Sequence, residues 1–194
     1  MEFTIYRSSE AELIKGCIQR KRDAQKRLYD TYAPAMYPLC CRYMKNATEA
    51  EDVLVMAFTK ILDKIDQYKG QGSFEGWVRR IVINEALAHL RSQRQMFVVT
   101  ELEEAEVTET VSMNDHLHEE DLLEMVRQLP AGYRSVFNMY AIDGYSHKEI
   151  AEQLGISENT SKSQLSRARV FLQKLLISKE QGAQTTKEHG IRNR

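Results

Sequence analysis

Five side chains in the last third of the chain have the types and spacing to read DNA. Lys162, Ser163, Gln164, Ser166 and Arg167 stand within six positions, with Arg169 just beyond. Lysine and arginine can bond the O6/N7 edge of guanine, and serine can serve several bases. Other chemistries find no such grouping. There is no glycine-rich phosphate loop, no metal-ligand spacing and no histidine set beside a serine or cysteine nucleophile. The cysteines, Cys17, Cys40 and Cys41, are odd in number, and the adjacent pair has no ligand spacing, so all three are expected as buried free thiols. His116 and His118 lie in an acidic run without cysteine partners. An enzyme is therefore disfavoured, and neither a metal nor another cofactor is expected.

The five side chains need an element to hold them, and residues 144–169 supply one. Ser146 can cap a helix, with Glu149 three positions on as its capping-box partner. Ile150, Ala151 and Leu154 give that helix an apolar stripe. Gly155 suits the left-handed turn that ends it, and Ile156 fills the corner. Ser157 caps a second helix, whose first turn carries Glu158 at the positive end of the dipole. The polar and basic residues of that second helix surround a seam of Leu165, Ala168 and Leu172. This is a helix-turn-helix, and small polar and basic side chains on its second helix are what a major groove accepts. Helix pairs of this shape also occur as plain packing units, so the rest of the chain must decide.

The chain reads as helical throughout. Ser9 with Glu12 forms a capping box for a helix through Leu13, Ile14, Cys17 and Ile18. Residues 19–23 are a charged break. A second run carries Ala24, Leu28, Tyr29 and Tyr32, and Pro34 is placed in the first turn of a further helix bearing Met36, Tyr37, Leu39, Cys40 and Tyr43, in which Pro38 is awkward. Thr48 with Glu51 is a second capping box, opening an amphipathic helix to about Ile65. Its core face is Val53, Met56, Ala57, Ile61 and Ile65, widened by Leu54, Phe58 and Leu62, with Lys60 toward solvent. After a polar loop at 68–73, a long helix bears the stripe Phe74, Trp77, Val78, Ile81, Leu87 and Leu90. Helices are expected again from Asp121 to Pro130 and from Tyr133 to Ile142.

Charge is distributed unevenly. The net charge is −1, which looks wrong for a DNA binder. Yet residues 127–174 hold seven basic and four acidic side chains, while residues 101–121 hold nine acidic ones and no lysine or arginine. An acidic middle cancels basic ends. That middle has too little apolar surface to offset the entropy of ordering and reads as a flexible linker. The fold class is thus all-α: two small helical domains, residues 8–95 and 121–178, joined by an acidic linker at 96–120 and followed by a disordered tail at 179–194. No apolar run approaches a membrane span, and the N-terminus lacks the order of a secretion signal. A cytoplasmic protein without membrane insertion is expected.

Three separated motifs then resemble one family. The run EAEDVLVMAF at 49–58 is similar to the polymerase-clamp helix of bacterial sigma factors of the extracytoplasmic-function group. FEGWVRRIVIN at 74–84 is similar to their helix that opens the −10 promoter element. LPAGYRSVF at 129–137, with the helix-turn-helix, resembles their second domain, which docks on the −35 element. The resemblance implies a promoter-specificity subunit of RNA polymerase. Glu51 and Asp52 would bind the coiled coil of the largest polymerase subunit. The loop with Lys69, Gln71 and Ser73 would accept a base turned out of the duplex, and Trp77, Arg80 and Asn84 would line the strand-opening surface, where Trp77 could stack on a base. Lys162, Ser163, Gln164, Ser166 and Arg167 would face the −35 groove, with Thr160, Ser146 and Lys148 on phosphates.

The match has departures. Ser161 stands where the family usually has an apolar residue, and Gln164 and Ser166 replace larger or more basic ones. Weaker phosphate affinity is expected, with core polymerase needed for tight promoter binding. The expected partners are core polymerase, promoter DNA and the anti-sigma factor usual for the group, with a monomer when free. The competing reading, a dimeric helix-turn-helix regulator on a palindromic operator, explains only the C-terminal half.

Overall fold

In the computed structural model the residues described are 2–96 and 119–191, with side chains from 9 to 92 and 122 to 178. Among them every regular element is helical. The chain forms two compact units, residues 1–93 and 94–194.

The first unit contains α1 (Glu2–Ile18), α2 (Arg22–Tyr43), α3 (Ala47–Lys64), a 3₁₀ turn (Ile65–Gln67) and most of α4 (Phe74–Met96). Its core takes Leu13 and Cys17 from α1, Leu28, Met36, Leu39 and Tyr43 from α2, Val53, Ala57 and Ile61 from α3, and Phe74, Val78, Val82, Ala86 and Leu87 from α4. Gly16 lets α1 and α2 approach closely, since a Cβ there would meet the Ala24 Cβ at 2.7 Å. All three cysteines are buried thiols outside any disulfide. Burial pushes the Cys40 thiol up to about 12 and also raises that of Cys17.

Several local expectations change. Ser9 lies inside α1 rather than capping it, because the helix extends back to Glu2. Lengthening an existing helix is far easier than nucleating one. Pro34 and Pro38 both sit inside a continuous α2. Neither starts a new helix. They are four apart and exposed, so the hydrogen bonds they forgo lie on the solvent side, where water replaces the missing donors. The α3 cap is Asn46, whose Oδ1 accepts from the Glu49 N–H at 2.9 Å while its Nδ2 donates to Glu49 Oε1 at 2.9 Å. Thr48 and Glu51 have no capping role there. Met56, assigned to the α3 core face, is 49% exposed. Lys60 is exposed as expected, yet it pairs with Glu85, a buried carboxylate on α4 that the apolar stripe did not anticipate.

The second unit contains α5 (Glu119–Gln128), α6 (Ala131–Phe137), a π turn (Asn138–Ile142), α7 (His147–Leu154) and α8 (Glu158–Ile191). Its core holds Met125, Val126, Leu129, Val136, Met139, Ile150, Ala151, Leu165, Ala168 and Leu175, with half-buried Tyr133, Phe137, Phe171 and Leu172 packed around Val126, Leu129 and Ala168. Polar contacts supplement it. Arg134 is buried, and its Nη1 donates to the Arg127 carbonyl at 2.7 Å, closing the last turn of α5. The backbone of α8 runs on to Ile191, past residue 178, where a disordered tail was expected. The linker expected at 96–120 lies, from 97 to 118, outside the described residues.

Candidate nucleic-acid interface

In the first unit the loop at 68–73 and the start of α4 form one surface. Gly70 and Gly72 take φ of 70° and 85°, a region that favours glycine. The Tyr68 hydroxyl donates to the Gly72 carbonyl at 2.8 Å and holds the loop in shape. Ser73 caps α4, its Oγ accepting from the Gly76 N–H at 3.1 Å. Lys69, Gln71 and Ser73 are exposed. Beneath them is an aromatic cluster. Tyr68 meets Phe74 edge-on at 5.0 Å and Trp77 at 5.7 Å, and Trp77 lies nearly parallel to Phe74 at 5.6 Å. Phe74 is fully buried, whereas Trp77 is half-buried, so the indole is anchored by its neighbours and keeps an open part. Arg80 and Asn84 are exposed at the third and seventh positions beyond it, on the same side of α4.

Tyr68 was not singled out by sequence, although it closes the loop. The available signal was an aromatic residue directly before a Lys-Gly-Gln-Gly turn. Tyr32 supports the same cluster: its ring meets Phe74 edge-on at 5.4 Å, and its hydroxyl donates to Glu10 Oε2 at 3.1 Å. Burial, with the Glu10 carboxylate next, raises its phenol above the ordinary value.

Glu51 and Asp52 are exposed on α3. Glu51 borders a groove of about 570 Å³ between α2 and α3, together with Tyr29, Ala33, Tyr37, Leu54 and Val55. Tyr29 and Val55 are 40% and 58% exposed, and sequence did not mark them as site residues.

The helix-turn-helix of the second unit is built from capped ends. Ser146 and Glu149 form a complete capping box: the Glu149 N–H donates to Ser146 Oγ, and the Ser146 N–H donates to Glu149 Oε2 at 2.8 Å. Gly155 is left-handed, with φ of 67°. Ser157 Oγ accepts from the Thr160 N–H at 3.0 Å and lies 2.8 Å from the Thr160 hydroxyl. Ser146 and Thr160 are therefore engaged in holding the helix starts, while Lys148 is exposed. Along α8, Lys162, Ser163, Ser166 and Arg167 are exposed and Gln164 is half-buried. Ser163 Oγ donates back to the Thr160 carbonyl at 3.0 Å, and Lys162 Nζ is 4.0 Å from Glu158.

Ser161 explains one departure noted above. It is fully buried, and its Oγ lies 2.9 Å from His147 Nδ1. The His147 ring stacks on Tyr140 at 4.4 Å. A polar bond between α7 and α8 thus occupies the place of an apolar contact.

Comparison with known proteins gives this arrangement its family. Residues 28–96 match the model of Sigma-70 region 2, and residues 119–172 that of Sigma-70, region 4. The ECF RNA polymerase sigma factor SigW of Bacillus subtilis (strain 168) is 29% identical over 180 residues, covering 84% of this chain and 94% of that protein. The RNA polymerase sigma-H factor of Pseudomonas aeruginosa is 27% identical over 177 residues, covering 82% and 91%. Among solved structures, the sigma factor RpoE from Bartonella quintana, in complex with the anti-sigma factor NepR, shares the fold at a TM-score of 0.51 with 24% identity, over 78% of this chain and 95% of that one.

The chain belongs to the sigma-70 family of RNA polymerase sigma factors. Within that family it is an extracytoplasmic-function sigma factor, a promoter-specificity subunit of RNA polymerase. The dimeric-regulator reading has no counterpart for the first unit and is not favoured.

Proposed function

We infer that the two units divide promoter recognition between them. Residues 8–95 bind core polymerase and open the −10 element. Residues 121–178 dock on the −35 element, and 96–120 tether the two. The observation that carries this reading is half-buried Trp77, anchored on Tyr68 and Phe74, with exposed Lys69 and Gln71 in the adjoining loop and exposed Arg80 and Asn84 on the same side of α4. A base leaving the duplex needs a stacking partner and a pocket to offset its unpairing, and a base–aromatic stack is worth about 1–3 kcal/mol. Trp77 supplies the stacking face, and Arg80 and Asn84 supply donors beside it. Glu51 and Asp52, exposed and free of capping duties, meet the coiled coil of the largest polymerase subunit.

On the second unit, Lys162, Gln164, Ser166 and Arg167 read base edges. Ser163 adds a base contact when its hydroxyl turns from the Thr160 carbonyl, and Lys148 holds a phosphate. Ser146 and Thr160 add phosphate contacts when their hydroxyls turn from Glu149 and Ser157. The protein acts in the cytoplasm, as a monomer when free and without catalysis of its own. By extension from the Bartonella relative, an anti-sigma factor holds it silent.

Run-off transcription with purified core polymerase tests the whole reading. Promoter-directed transcripts should appear with the wild type and fall at least tenfold with Trp77→Ala. Absence of any such transcript, from core that responds to another sigma factor, would overturn it. The free protein should bind promoter DNA weakly in physiological salt, and nanomolar binding without core would contradict the division of labour.

A further inference from the structure

The turn between α1 and α2 is the densest basic stretch of the chain, and the promoter reading leaves it without a role. Residues 15–27 hold Lys15, Arg20, Lys21, Arg22, Lys26 and Arg27 against a single acid, Asp23. All six cations are exposed, and among the described residues none is ion-paired. Lys15, Lys21, Arg22 and Arg27 line a cleft of about 730 Å³ that Glu12 and Asp23 also border.

Two features of this turn oppose folding. Arg20 has φ of 56°, the one described non-glycine residue with a positive φ. The Lys21 N–H bonds the Gly16 carbonyl at 3.0 Å and the Arg20 N–H bonds the Cys17 carbonyl at 2.9 Å, which is the Schellman ending that glycine normally fills. A bulky residue is strained there. Lys21 and Arg22 then stand at the start of α2, the positive end of a 22-residue helix, where Asp23 is the one first-turn acid and no side chain caps the helix. Acidic residues belong at that position and cations repel the dipole. A turn chosen for stability would carry glycine at 20 and an acid at 21 or 22. Residues that violate local rules without a folding gain mark function.

We propose that the α1–α2 turn is a second phosphate-binding surface of the first unit, gripping the promoter DNA backbone beside the −10 element. It rests on the strand-opening reading of α4. Arginine forks match phosphate oxygens, and uncapped N–H groups of α2 add to the same field. Lys21 and Tyr32 are eleven positions apart, three helical turns, so they share a side of α2 about 16 Å apart along its axis. Tyr32 touches Phe74 in the cluster under the strand-opening surface. At about 3.4 Å per phosphate along one strand, the turn is roughly five phosphates from that cluster. An acidic protein surface would need no such continuity with the opening site.

The test uses holoenzyme assembled from the full chain and core polymerase, with forked DNA selected by the wild type from a pool randomised at the −10 positions. Affinity is read by fluorescence anisotropy across a salt series. The triple variant R20G/K21Q/R22Q should bind about tenfold more weakly at 0.15 M salt. Its slope of log K against log salt should be shallower by about two, from three lost contacts at roughly 0.7–0.9 each. Sequence preference and affinity for core should not move, because phosphate contacts carry no base information. Arg20→Gly alone should keep or raise the melting temperature while weakening DNA binding, which separates lost charge from lost fold. Unchanged affinity and slope would overturn the proposal, as would weaker core binding with an intact DNA slope, which would assign the turn to polymerase. In the same assay Arg80→Ala and Asn84→Ala should alter base preference. If they do not, while the triple variant behaves as stated, the α4 reading fails and the phosphate surface survives. A wild-type holoenzyme that selects no sequence would overturn both.

Discussion

The two units hold their functional side chains by different physics. In the first, the proposed strand-opening surface rests on a packed aromatic cluster, and Trp77 is at once a packing residue and a candidate base contact. In the second, the recognition helix is seated by buried Leu165, Ala168 and Leu175 and fixed in place by polar devices: the Ser146–Glu149 box, the Ser157 cap and the His147–Ser161 bond. The contrast teaches where function and stability can be separated. In the first unit they share side chains. On α8 the proposed reading residues are exposed apart from half-buried Gln164, and Arg167 Nη1 donates a long bond to the Tyr133 hydroxyl at 3.5 Å.

Phe74→Ala should sharpen this contrast most. The ring is fully buried and touches Tyr32, Tyr68 and Trp77. Its removal should cost about 3–5 kcal/mol. Trp77 is the one tryptophan of the chain, so its fluorescence in a urea titration reports the first unit alone. An unshifted midpoint would mean that the aromatic cluster does not hold the opening surface.

Alkali should also act on the first unit, which holds every cysteine. The folded Cys40 thiol titrates near 12 against an ordinary 9.0, because burial disfavours the thiolate. Above pH 9 the unfolded chain loses this proton and the folded chain keeps it. The group's contribution is thus complete below pH 9 and lost as pH rises toward 12, at up to about 1.4 kcal/mol per pH unit. Cys17 and Tyr32 shift in the same direction and add to the loss. The same tryptophan signal, followed from pH 8 to 11, checks the sign.

Arg167→Ala should cost about 1–3 kcal/mol of base discrimination at the −35 element and leave the unfolding curve unchanged. Binding measured across −35 variants decides it, and a flat profile would remove Arg167 from the reading set. Ser161→Ala should have the smallest effect, about 1 kcal/mol, by leaving His147 Nδ1 without its partner in a partly buried site. Amide exchange in α7 should quicken about fivefold, with none in α2 or α3. Pairing it with His147→Phe should recover part of the loss, since two apolar partners leave nothing unsatisfied.

Much of this architecture can be read without coordinates, because it is local. The helix-turn-helix was legible in Ser146, Glu149, Gly155 and Ser157, whose roles depend on neighbours three or four residues away. The α3 and α4 faces were largely legible from period: Val53, Ala57, Ile61, Phe74, Val78 and Leu87 are buried as their spacing requires. Local reasoning failed where two local answers compete. Asn46 and Thr48 both offer a cap for α3, and the pairing of Asn46 with Glu49 wins. A proline reads as a helix start, yet α2 runs through two of them, because whether a lost hydrogen bond is tolerable depends on which side faces water.

The sequence by itself determined the helical periods, the turns and the types of side chain available to DNA, since these follow from backbone geometry and residue chemistry over a few positions. Only the tertiary structure decided that Trp77 is half-buried, that Tyr68 closes the loop, that Lys60 meets Glu85 and that Ser161 is buried against His147. Each of these joins residues from separate turns or helices, and the energy that selects among such pairings belongs to the packed chain.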